Sequence, residues 1–144
     1  MNKQRLLMLV NHLRNNVPKD ESRFYMGTWA GRTAEPFKFG DMLDDASCGT
    51  SGCAMGWATT IPHFKELGLF LLGKTYRNAS ITAELVYQSQ SGARYHGFDA
   101  VHAFMDLTSE QADYLFDANQ YPDLVTVSEV ADRIENFVIS NGEM

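Results

Sequence analysis

Three stretches of this sequence place reactive side chains at spacings that chemistry could use. The first, Gly68-Leu69-Phe70-Leu71-Leu72-Gly73-Lys74-Thr75, satisfies the phosphate-binding pattern G-x-x-x-x-G-K-[ST]. That pattern works when a strand feeds a solvated loop whose N–H groups wrap the phosphates while the lysine reaches their outer oxygens. Here the four intervening residues are bulky and apolar, and Asn78-Ala79-Ser80 breaks the helix that should open at Lys74. No later apolar strand ends in an aspartate suited to magnesium. The segment reads instead as a core strand between two turn glycines.

The second stretch is Cys48-Gly49-Thr50-Ser51-Gly52-Cys53-Ala54-Met55-Gly56-Trp57. A thiol near a helix N-terminus feels the positive end of the dipole, which lowers its pKa and sharpens it as a nucleophile. With His96 or His102 as base, Cys48, or less readily Cys53, could serve a hydrolase or transferase. Against this, Cys53 and Trp57 are four residues apart and share one helical face, and buried cysteine is an inert small hydrophobe. Gly56 among small neighbours marks close packing, so Cys53, Gly56 and Trp57 read as a structural motif. The Cys-x₄-Cys spacing is wrong for zinc, because positions five apart on a helix diverge by about 140°. Neither a metal site nor a cofactor site is expected.

The third is acidic. Glu110, Asp113 and Asp117 fall on one stripe of a short helix, with Asp106 just before it and Asp123, Glu129, Asp132 and Glu135 after it. Such a face is either simply solvated or a dock for a basic protein, with charge governing encounter rate and specificity. The calcium-loop reading of Asp117 to Asp123 fails, since it lacks the turn glycine and has Ser128 where a glutamate is needed.

The elements that must hold these residues follow from periodicity. Leu6, Leu9, Val10, Leu13 and Val17 predict an amphipathic helix over 3–16. Arg23 to Trp29 reads as extended, and Ala30 to Ser47 as a long irregular connection. Thr50 or Ser51 caps a helix reaching Thr60, and a short helical turn follows over 63–67. Leu69 to Leu72 and Ile81 to Gln88 are strands, the latter turning at Ser91-Gly92 into Ala93 to Tyr95. The last third is helical. Asp99 to Met105 comes first, then two helices opened by capping boxes, Thr108 with Gln111 and Thr126 with Glu129. In the final helix Val127, Val130, Ala131, Ile134 and Val138 form one stripe, and Glu129 and Arg133 make an i,i+4 pair. The expected fold is α+β, mostly α: an N-terminal helix, a short β-hairpin or small antiparallel sheet, and a helical C-terminal third.

Composition bounds the rest. A chain of 144 residues with 44% apolar and 21% charged residues is one globular domain spanning 1–144. Two cysteines make no disulfide scaffold, and an apolar run as short as Leu69 to Leu72 cannot cross a bilayer. The net charge of −6 is lopsided, because from Gly97 onward ten carboxylates face one basic side chain, Arg133. That field repels phosphate backbones, so direct nucleic-acid binding and membrane association are not expected, and a basic protein partner is.

Cys48-Gly49-Thr50-x-x-Cys53-Ala54-x-Gly56-Trp57-Ala58 resembles the signature of a group of small uncharacterised proteins of bacteria and phages. Met26-x-x-Trp29 and Leu107-Thr108-x-x-Gln111-Ala112-x-x-Leu115-Phe116 are similar in order and spacing. The resemblance implies a cytoplasmic protein, phage-encoded or carried on a mobile element, and brings no activity with it. The leading expectation is an accessory binding protein acting through the acidic helices. A thiol enzyme built on Cys48 is the alternative. A small-ligand sensor using Phe24, Tyr25, Trp29, Phe37 and Phe39 stands third.

Overall fold

A computed structural model describes residues 1–17, 24, 26, 30–32, 53–75, 81–122 and 125–144. Helix α1, Lys3–Asn15, starts where the Asn2 side chain accepts the Arg5 backbone N–H at 3.0 Å. Its stripe Leu6, Leu9, Val10 and Leu13 is buried. Strand β1, Ala30–Arg32, lies inside the stretch expected to be irregular. The extended stretch expected over 23–29 is described only at Phe24 and Met26, both buried.

Helix α2 is Ala54–Ala58, shorter than expected, and its cap is Cys53 rather than Thr50 or Ser51, which lie outside the described residues. Helix α3, Pro62–Glu66, opens on a proline whose missing N–H costs nothing in a first turn. Strand β2 is Leu69–Thr75, three residues longer than the apolar run. Strand β3 is Ile81–Gln88 and β4 is Arg94–His96. Helices α4, Phe98–Met105, and α5, Ser109–Phe116, then lead through a 3₁₀ turn at Ala118–Gln120 to α6, Val127–Ile139.

The sheet is antiparallel and built around β3. Strand β2 runs along one side of it from Leu69↔Tyr87 to Thr75↔Ile81. The other side is shared end to end by β1, with Ala30 opposite Ala83, and β4, with His96 opposite Val86. Strand alternation sends Leu69, Leu71, Ala83, Leu85 and Tyr87 to the core face. Helix α4 packs there, its Phe104 edge-on to Tyr87 at 5.1 Å and to Phe64 at 4.9 Å. Arg5 ties α1 to the same point. Its guanidinium sits 4.4 Å from the Phe104 ring centre and donates to the Phe104 carbonyl at 2.7 Å.

Both capping boxes form. The α6 stripe Val127, Val130, Ala131, Ile134 and Val138 is buried as the periodicity predicts, and Phe137 joins it. The fold is therefore α+β and mostly helical. No helix among the described residues is long and apolar enough to cross a membrane.

One local expectation fails for a tertiary reason. Glu129 and Arg133 do not pair, because the Glu129 carboxylate accepts the Thr126 N–H while Arg133 turns toward α5. The Arg133 guanidinium donates to the carbonyls of Tyr114 and Gln120 and lies 3.9 Å from the Tyr121 ring centre and 4.8 Å from that of Tyr114. Two carbonyl acceptors and two aromatic faces outcompete one exposed carboxylate worth only a few tenths of a kcal/mol, or roughly 0.3–0.5.

Candidate functional site

Cys53 is 2% exposed, and its Sγ accepts the Gly56 N–H at 3.4 Å, so the side chain serves as the α2 cap. Burial pushes the thiol up to about 11, only partly opposed by the backbone N–H groups around it. A neutral, buried thiol is no nucleophile at ordinary pH. Trp57 is buried beside it. The Trp57 carbonyl accepts the Thr60 hydroxyl at 2.7 Å, and the Thr60 oxygen lies 2.6 Å from His12 Nε2, so α2 is fastened to α1. Cys48 lies outside the described residues.

The two histidines considered as bases are placed elsewhere. His96 is half-exposed on β4, with Nδ1 3.5 Å from a Glu84 carboxylate oxygen across the ladder. His102 sits in the last turn of α4 and lines a cleft. Among the described residues no hydrogen bond joins Cys53 to either ring, and no group of three or more His, Cys, Asp or Glu could hold a metal ion.

The phosphate-loop pattern is a strand. Leu69 through Thr75 pair residue by residue with β3, an extended backbone that does not curl its N–H groups around an anion. Its leading glycine has a packing role. Gly68 has φ +102°, and a Cβ there would lie 2.0 Å from the Gln88 carbonyl oxygen.

The acidic residues divide once their partners are known. Arg14 of α1 reaches α6 and holds Asp132 at 2.8 Å and Glu135 at 2.8 Å, which drives the guanidinium pKa further up from its ordinary value. Glu129 belongs to its capping box, and Asp117 accepts the Asn119 N–H at 3.0 Å to open the 3₁₀ turn. Asp106, in a left-handed backbone conformation that ends α4, is 3.3 Å from the Met1 amine. Asp123 lies outside the described residues. Glu110 and Asp113 are exposed on α5, and their carboxylates make no hydrogen bond or ion pair among the described residues.

Two roles escaped the sequence reading, that of Arg14 altogether and that of Arg133 beyond its expected pairing with Glu129. Arg14 and Arg133 are the clamps of the helical layer, yet each partner set is remote in the chain or made of carbonyl groups, and no spacing rule reveals it. The third reading, a ligand pocket of aromatics, is described only at Phe24, which is buried in the core, while Tyr25, Trp29, Phe37 and Phe39 lie outside. An open cleft of about 720 Å³ lies where α4 ends and α5 begins. Met1, His102, Asp106, Thr108, Ser109 and Gln111 are among the residues that line it.

Comparison of the chain with protein-family models, with curated proteins and with solved structures returned no match.

Proposed function

We propose that this protein works by binding another protein, and that helix α5 offers Glu110 and Asp113 to a basic partner surface. The supporting observation is selective: Arg14 pairs with both Asp132 and Glu135, whereas the carboxylates of Glu110 and Asp113 stay exposed without an internal cation among the described residues. Exposed carboxylates at i and i+3 repel each other weakly in water and gain from a lysine or arginine opposite them. The proposed setting is the cytoplasm, with the protein carried by a phage or mobile element and acting on a host or defence factor. That part rests on the resemblance borne by the thiol segment. The buried, neutral Cys53 weighs against a thiol enzyme at that position. The same acidic field weighs against direct contact with nucleic acid.

The test is a double charge reversal, Glu110→Lys with Asp113→Lys, in a tagged protein used to capture partners from host lysate at low and high salt. The expected result is a basic protein captured by the parent at low salt, released at high salt, and lost at least tenfold by the variant while its circular dichroism and melting are unchanged. Undiminished capture by the folded variant would remove α5 from the interface.

A further inference from the structure

We draw no further inference here: the strongest candidate, the open cleft of about 720 Å³ between the end of α4 and the start of α5, has Asp106 held by the Met1 amine and Thr108 and Gln111 held by their own capping box, and nothing in the structure shows what would fill it.

Discussion

Burial governs the reactivity of Cys53. Its thiol pKa is pushed to about 11 from an ordinary 9.0 by burial. At pH 8 this lowers the thiolate fraction from about one in ten to about one in a thousand, an alkylation rate roughly 100-fold below that of a free thiol. The 2% exposure adds steric protection, so reaction must wait for the chain to open. The assay is iodoacetamide labelling followed by mass, in a Cys48→Ser background so that the adduct reports Cys53 alone. The native protein should label at least 100-fold more slowly than the same chain in urea. The linked stability has a definite sign. The folded value lies above the unfolded one, so the stabilisation is fully present below about pH 9 and is lost as pH rises through about 11. Two pKa units correspond to a contribution on the order of 3 kcal/mol. It should appear as an extra fall in the urea midpoint between pH 8 and 10.5 in Cys48→Ser that is missing from Cys48→Ser with Cys53→Ala. Native labelling within a few-fold of the unfolded rate would refute the burial argument and return Cys53 to the list of nucleophiles.

Three stability predictions follow from named contacts and are read by urea denaturation. Gly68→Ala should cost at least about 2 kcal/mol, since the new methyl meets the Gln88 carbonyl at a backbone angle unsuited to alanine. An unchanged midpoint would mean the strand entry is looser than described. Thr126→Ala should cost about 1 kcal/mol by removing the hydroxyl that accepts the Glu129 N–H at 3.2 Å, with Thr126→Ser recovering most of it. Arg133→Leu should cost about 2–3 kcal/mol, because the Tyr114 and Gln120 carbonyls lose their charged donor and two rings lose their cation. Arg133→Lys should not rescue it, since an ammonium lacks the planar fork that serves both carbonyls while stacking. Full rescue by lysine would show that charge alone matters there.

These predictions draw on information of two different ranges. Helix starts at Thr108 and Thr126, the buried stripes of α1 and α6 and the alternation along β3 are short-range facts. Each is written within three or four residues, where a side chain meets its own backbone or the next turn. They were legible for that reason, and the α+β class followed from their order. The same locality misled at Glu129 and Arg133, where a correct spacing rule lost to carbonyls and rings brought in from α5. Short-range signals also misplaced the cap of α2, since Thr50 and Ser51 are conventional caps while the burial that leaves Cys53 in that role comes from the rest of the core.

By itself, then, the amino-acid sequence marked α1, α5, α6 and β3, and showed that its last third carries the negative charge. Local capping takes up Glu129 and Asp117, but whether Asp132 and Glu135 or Glu110 and Asp113 remain available was decided by tertiary structure. Arg14 meets Glu135 across a separation of 121 residues, and no local pattern encodes a meeting of that length. The path of the backbone brings α1 against α6, and the long-range packing of their apolar stripes sets that path. Once it is set, Arg14 takes up Asp132 and Glu135, and Glu110 and Asp113 are left facing water.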